Sequence, residues 1–311
     1  MRQRLRLLLF AALLLFLVFG ETPDRTRFWR ALFNLGHAPL SGLLALVVRG
    51  YVVNRDALAG RFPGRHPSLA AFGVTVAIGA AVESLQVLQA DRDPTWSDLG
   101  RDAAGAASFL LLHEAFTARG AGSGSPQRAW ERWGGALAAA ALLAASAAGF
   151  ARTVALYVER GRAMPTLFAL DGSWWERELI DDGNSRLTPA RPLARLDLEP
   201  AKYPGLTFEE PYPDWRGYRT LVLTIVSDLD APLTMALRIH DAAHNERFED
   251  RFNRRLTVQP GRNTFRIPIE EIRRAPRGRE MDLGRVREIL LFSRRIDRPT
   301  HVYLGPLRLE K

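Results

Sequence analysis

The chain has 311 residues, enough for two domains, and carries a net charge of +9 with no cysteine. The absence of cysteine excludes disulfides, thiolate metal sites and a cysteine nucleophile, so a domain outside the cytoplasm must stand on its own core. The basic excess is mostly Arg and, in the first half, falls in short connectors between apolar runs rather than on one folded face, which argues against a nucleic-acid partner.

Residues 1–157 hold nearly all the long apolar runs, with 16 Lys/Arg against 10 Asp/Glu. Crossing a bilayer takes about 20 apolar residues. Five segments qualify as expected spans: 5–20, 35–53, 68–88, 99–116 and 134–157. The first is short and follows Arg2, Arg4 and Arg6, the form of a signal peptide, but LVFGET offers a poor cleavage site, so an uncleaved anchor is expected. The fifth is rich in Ala and carries Arg152 near its end, where it can snorkel to the interface.

Arg2, Arg4 and Arg6, then Arg55, Arg61 and Arg65, then Arg119, Arg128 and Arg132 mark alternate connectors as cytoplasmic; the other two mix signs. The N-terminus is therefore expected inside and residues from 158 onward outside the cytoplasmic membrane. This topology brings polar groups from three spans to one level near the outer face: His37, Glu83 and Gln86, Asp98 and Asp102, with Arg92 in the connecting loop. Ionisable groups inside spans are costly and usually face partners in the bundle interior. Two readings stay open. Either Arg92 or Arg101 pairs with Glu83 or Asp102 to lock the helices, or the groups line a polar pocket for a headgroup or small solute. His37 alone reads as a packed interfacial histidine, and His113 and Glu114 as ordinary helix-end residues.

The segment ESLQVLQADRDPTWSDLGRDAAGA (83–106) resembles the VanZ-like family of bacterial membrane proteins. The family pattern has Glu and Gln closing one helix, Arg in the loop, Asp opening the next helix, then Asn and Gly. Glu83, Gln86, Arg92, Asp98 and Gly105 follow it; Asp102 stands at the Asn position, and NLGH keeps His37 but has Asn34 where the family has Lys. The resemblance covers about residues 1–118 and implies a four-helix transmembrane domain. It names a domain and not a reaction, although the founding member is linked to glycopeptide resistance.

After residues 119–133, expected as a cytoplasmic loop, and the fifth span at 134–157, residues 158–190 read as a linker and lead-in broken by Pro165, Gly172, Gly183 and Pro189. Beyond them short apolar-polar alternations mark strands: RTLVLTIVS (219–227), PLTMALRIHD (232–241), NTFRIPI (263–269), VREILLFS (286–293) and HVYLGPLRLE (301–310), with a short helix or turn after Ile269. The expected fold class is a membrane α-helical bundle followed by an all-β jelly-roll sandwich over 191–311, with a start as early as 168.

PDWRGYRTLVLTI (213–225) and LRIHDAAHNERFEDRFNRRLTVQPGRNTFRIPI (237–269) look like the jelly-roll domains of the galactose-binding-like class, including carbohydrate-binding modules and the complex I intermediate-associated family. The resemblance implies a sandwich over about 168–311; a ligand still has to be argued from a site. Aromatic faces for sugar stacking are Trp174, Trp175, Tyr212, Trp215 and Tyr218; Asp241, His244, Asn245, Asp250, Arg251 and Asn253 cluster in one connection able to bond hydroxyls. The structural alternatives are that Trp215 and Tyr218 cover the core edge and that Asp250 and Arg251 pair locally. Asp241, Asn245 and Asp250 resemble calcium ligands in type, but their spacing matches no standard loop, so no metal or cofactor is expected. The expected function is a membrane-anchored envelope protein whose outer sandwich binds a glycan or glycoconjugate. The alternatives are a membrane enzyme or transporter acting on a lipid-linked substrate, such as a lipid-linked glycan, or on a small polar one, with Glu83 and Asp98 or Asp102 as acid and base, and a scaffold for a protein partner.

Overall fold

The computed structural model describes residues 23–24, 26–54, 67–86, 96–117 and 126–311. The first expected span, Arg92, and the connectors holding Arg55, Arg61, Arg65 and Arg119 lie outside the described residues. The chain divides into two compact units, Met1–Ala155 and Leu156–Lys311.

The first unit is helical: α1 (Arg27–Asn54), α2 (Pro67–Gln86), α3 (Trp96–Thr117) and most of α4 (Pro126–Arg162). The Thr26 hydroxyl accepts the Trp29 N–H at 3.4 Å, satisfying one of the first-turn donors that a helix leaves unbonded, so α1 starts well before the expected 35. The stretches Arg27–Val53, Pro67–Leu85 and Trp130–Arg162 are long and apolar enough to cross a membrane. The fourth expected span forms α3 but is not among them. Asp98, Arg101, Asp102 and Glu114 interrupt its 22 residues.

Glycines let α1 and α3 approach closely. A Cβ on Gly105 would lie 2.0 Å from the Ala38 carbonyl oxygen, and one on Gly42 would lie 2.4 Å from the Phe109 ring. Small residues at such crossings allow backbone-to-backbone packing, the usual device where solvent does not drive helices together. Among the described residues the buried cluster of this unit is small, made of Leu44, Ala45, Val48, Ala71, Ala106 and Leu110. Large apolar side chains instead stand exposed, among them Leu43, Leu69, Leu137, Trp96, Trp130 and Trp133.

The second unit is an antiparallel β-sandwich. One sheet runs β1 (Thr166–Phe168), β12 (Leu307–Glu310), β6 (Thr220–Ser227), β11 (Thr300–Leu304), β4 (Ala194–Leu198), β3 (Ser185–Thr188), with β9 (Gly261–Pro268) also on β6. Strand β6 pairs with β9 along its length, while β12 and then β11 share its other edge. The expected single strand at 301–310 is thus two, divided at Gly305, whose N–H bonds the Thr224 carbonyl at 2.8 Å. The other sheet runs β2 (Ile180–Asp181), β5 (Gly205–Glu209), β10 (Val286–Ser293), β7 (Leu233–Asp241), β8 (Phe252–Val258). Helix α5 (Trp174–Leu179) precedes β2, and α6 (Ile269–Arg273) stands where a short helix or turn was expected.

Inward residues alternate along each strand, as a half-buried sheet requires. Leu206, Phe208, Met235, Leu237, Ile239, Leu256, Ile289 and Leu291 face the core.

Residues 158–190 are not a linker. They hold the end of α4, β1, α5, β2 and β3, so the sandwich starts at the helix end. In the last turns of α4, the Tyr157 hydroxyl donates to the Glu210 carboxylate and Arg160 donates to the Glu210 carbonyl oxygen at 2.6 Å. Buried Glu176 accepts the N–H groups of Leu170 and Asp171 at 3.0 and 3.1 Å, holding the loop after β1. Breaker residues obscured these strands because each is only two to four residues long.

Candidate functional site

In the helical unit, three helices meet at two polar ties. At one, His37 Nδ1 lies 3.1 Å from Asp102 Oδ1, and single donor atoms of His37, Glu83 and Asp102 all lie within 4.8 Å of one another. At the other, Arg49 donates to Glu114 at 3.0 Å and to the Ser68 hydroxyl at 2.8 Å, while Ser68 donates to Glu114. His37–Asp102 and Arg49–Glu114 are each 65 residues apart in sequence, so α1 and α3 run in one direction and α2 against them. At 1.5 Å per residue the ties lie about 18 Å apart along α1.

The expected cluster therefore assembles in part. His37, Glu83 and Asp102 converge; Asp98 pairs with Arg101 one turn along its own helix. Gln86 closes α2, and Arg92 lies outside the described residues. Glu114 is no ordinary helix-end residue, since it links all three helices through Arg49 and Ser68.

In the sandwich, the residues expected to bind ligand mostly build structure. Trp215 is fully buried, its indole N–H donating to the Tyr212 carbonyl at 2.8 Å, so it offers no face to a sugar. Tyr218 packs half-buried on the same core, and Trp175 is buried against Phe168. Arg279 grips Asp241 through two bonds of 2.6 and 2.8 Å and also reaches the Asp250 carboxylate. That guanidinium supplies the positive charge a calcium ion would bring, and it replaces the expected Asp250–Arg251 pair. Burial opposes ionisation of Asp241, yet the Arg279 bonds and the Asp282 N–H hold its carboxyl below the ordinary value. Arg279 bonding pulls Asp250 down to about 2. The Asn245 N–H donates to Asp250 and its side-chain oxygen accepts the Arg247 N–H, shaping the loop. Arg251 stacks over Phe248 at 5.2 Å and donates to Asn253.

The outward face of the five-stranded sheet carries a different assembly. Register places its side chains in three cross-strand rows. Glu209, Glu288 and His240 form the first; Thr207, Leu290, Arg238 and Asn253 the second; Gly205, Phe292, Ala236 and Arg255 the third. Directly opposed side chains on such ladders stand about 5 Å apart. The rows span about 14 Å along and across the strands. Gly205 clears the ground beneath Phe292, since a Cβ there would lie 2.6 Å from the Phe292 Cβ. Half-exposed Tyr203 then stands edge-on to Phe292, with ring centres 5.8 Å apart.

At the polar end, the His240 and His244 rings lie 4.6 Å apart. His244 Nδ1 sits 2.9 Å from the Asp250 carbonyl oxygen and its Nε2 3.2 Å from an Arg238 nitrogen; both contacts are satisfied if Nδ1–H donates and Nε2 accepts. His240 Nε2 is 3.9 Å from Glu288, and its Nδ1 is buried without a hydrogen-bond partner. Burial, with His244 and Arg238 beside it, pulls the His240 imidazole down to about 3, so the ring is neutral at neutral pH. Burial lifts the Glu288 carboxyl, with Glu209 and Glu246 adding to the rise against the pull of Arg238. Sequence reading singled out His244, Asn253 and Arg251 near this face but missed Arg238, His240, Glu288, Phe292 and Tyr203. The alternation of VREILLFS and LRIHD was the available signal for all of these but Tyr203, because it leaves Arg238, His240, Glu288 and Phe292 on the side away from the core.

No protein-family model matches the chain, and no curated protein matches it. Several solved structures are similar over part of it. A family 11 carbohydrate-binding module from Clostridium thermocellum, in complex with a β-1,3-1,4-mixed-linked tetrasaccharide, is 12% identical, covering 42% of this chain and 82% of that one, with a TM-score of 0.33. A family 29 carbohydrate-binding module from Piromyces equi is 9% identical over 42% of this chain and 79% of its own, TM-score 0.30. An exo-β-agarase is 16% identical over 47% of this chain and 25% of its own, TM-score 0.38.

Proposed function

We propose that this chain is a membrane-anchored glycan-binding protein. Its helical unit resides in the bilayer, and its sandwich binds an oligosaccharide on the outward face of the five-stranded sheet. The observation that carries the reading is the three-row face. Phe292 and Tyr203 offer apolar surface to a sugar ring, and Arg238, Glu209, Glu288 and Asn253 offer fixed donors and acceptors to its hydroxyls. Both signs of charge are present on the face, which favours a neutral glycan over a polyanion. The role expected for Trp215 passes to Phe292 and Tyr203.

The anchoring half of the reading rests on three apolar helices, on the apolar side chains they leave exposed, and on Trp130 and Trp133 exposed near one end of α4, close in sequence to Arg128 and Arg132. Aromatic belts and cytoplasmic Arg are the marks of a membrane interface. In this proposal the VanZ-like pattern of residues 83–106 belongs to that membrane domain, the N-terminus is cytoplasmic, and the sandwich lies outside.

The test is a glycan-binding screen on the full chain in detergent, followed by titration calorimetry with the best oligosaccharide. Phe292→Ala and Arg238→Ala should each weaken binding at least tenfold while the melting transition persists. Unchanged affinity in both variants removes this face as the site. A reporter fused after Lys311 that is active only in the cytosol removes the envelope location.

A further inference from the structure

The two polar ties of the helical unit differ in what they hold. The Arg49–Ser68–Glu114 tie contains its own guanidinium opposite a carboxylate. The His37–Glu83–Asp102 tie contains an imidazole and two carboxylates, one from each of α1, α2 and α3. These are metal-ligand types. We propose that His37, Glu83 and Asp102 form a binding site for a divalent transition-series cation, Zn²⁺ or Mn²⁺.

Geometry carries the assignment. A metal about 2.1 Å from each of its donors holds them about 3.0–3.5 Å apart. His37 Nδ1 and Asp102 Oδ1 stand 3.1 Å apart, and a Glu83 oxygen joins them with all three atoms inside 4.8 Å. The backbone is shaped around these groups. Gly79, one turn before Glu83, clears Asp102: a Cβ there would lie 3.1 Å from Asp102 Oδ2. Gly105, one turn after Asp102, admits the Ala38 carbonyl and so draws the neighbouring His37 toward α3. Asp102 is 5% exposed, so ions from solvent do not reach it as they reach a surface carboxylate.

The donor set selects the ion. Ca²⁺ and Mg²⁺ prefer all-oxygen shells, whereas one imidazole nitrogen with two carboxylates suits Zn²⁺ and Mn²⁺. Three protein ligands leave at least one coordination position for water or another small ligand. A metal here would join three helices at a level where their surroundings are apolar, and a buried charge cluster is least costly when it is neutralised in place. The assignment is independent of glycan binding by the sandwich.

The full chain, purified in detergent, stripped with chelator and then dialysed against Zn²⁺ or Mn²⁺, should retain about one equivalent per chain by elemental analysis. His37→Ala and Asp102→Asn should reduce this to below a tenth. Asp98→Asn and Glu114→Gln, in the same helix as Asp102, should retain it. Where a variant loses its helical circular dichroism, Co²⁺ loaded into the wild-type protein reports the ligand set directly, by a visible d–d absorption characteristic of a mixed nitrogen–oxygen site. Less than a tenth of an equivalent in the wild-type chain overturns the assignment, as does retention by folded His37→Ala and Asp102→Asn proteins, or a Co²⁺ spectrum matching the aqueous ion.

Discussion

The two units solve opposite problems with similar amino acids. The sandwich hides its apolar side chains: Trp215, Phe168, Phe208, Leu196 and Ile289 are all essentially inaccessible. The helical unit shows its own, with Leu69, Leu137, Trp130 and Trp133 exposed around a small cluster of Leu, Ala and Val. Burial of apolar surface is favourable only against water, at roughly 25 cal/mol per Å². A unit that leaves such faces outward and ties its interior with polar groups is what the proposed bilayer setting requires. Fold stability therefore rests on core packing in one unit and on glycine-mediated helix contact in the other.

The largest expected effect tests the sandwich half of that comparison. Trp215→Ala should cost about 4 kcal/mol, since it empties a filled core site. It should lower the melting temperature of the sandwich and leave the helical circular dichroism intact. A binding loss without any change in melting would restore Trp215 as a ligand platform. Next is Gly105→Leu, which forces a side chain into the Ala38 carbonyl and should cost about 3 kcal/mol or more in the helical unit. Detergent-solubilised protein should aggregate at lower temperature while the melting transition of the sandwich holds. A neutral result would show that the α1–α3 crossing does not depend on close backbone contact.

A smaller effect lies in pH. His240 has an ordinary value of 6.5 and a folded value of about 3. Between these limits the unfolded chain binds a proton that the folded chain does not, so stability is full above about pH 6.5 and declines as pH falls toward 3. Asp250, shifted from 3.8 to about 2, adds a further loss at lower pH, as the pH falls from 3.8 to about 2. Melting curves of the His240→Gln protein should decline less between pH 6 and about 4 than those of the wild type; parallel curves would place the pH dependence elsewhere. The smallest effect belongs to the exposed Arg254–Glu271 pair, 3.0 Å apart. Arg254→Ala should change stability by less than about 0.5 kcal/mol, as exposed pairs usually do.

Much of the fold was legible because each segment carries its own period. VREILLFS alternates over 286–293 and is a strand there, and QPGRN turns β8 into β9. Strand β8 itself escaped notice because Asn253, Arg254 and Arg255 put polar residues on both of its faces. In the helical unit, the shared face of Asp98, Asp102 and Gly105 was readable from spacing, and His37 does meet Asp102.

The sequence by itself determined where apolar runs lie, which faces of most strands point inward, and that the two halves of the chain differ in composition. These are properties of residues near one another in the chain. Only the tertiary structure decided that Arg279 would neutralise Asp241 and Asp250 from 38 and 29 residues away, and that Glu288 would stand between Glu209 and His240. The loop that carries Arg279 meets these acids only once the chain has folded back, and for the sheet the reason is register: a strand's own alternation says which side chains point outward, but their neighbours are set by how distant strands align, and a shift of one residue would exchange every partner.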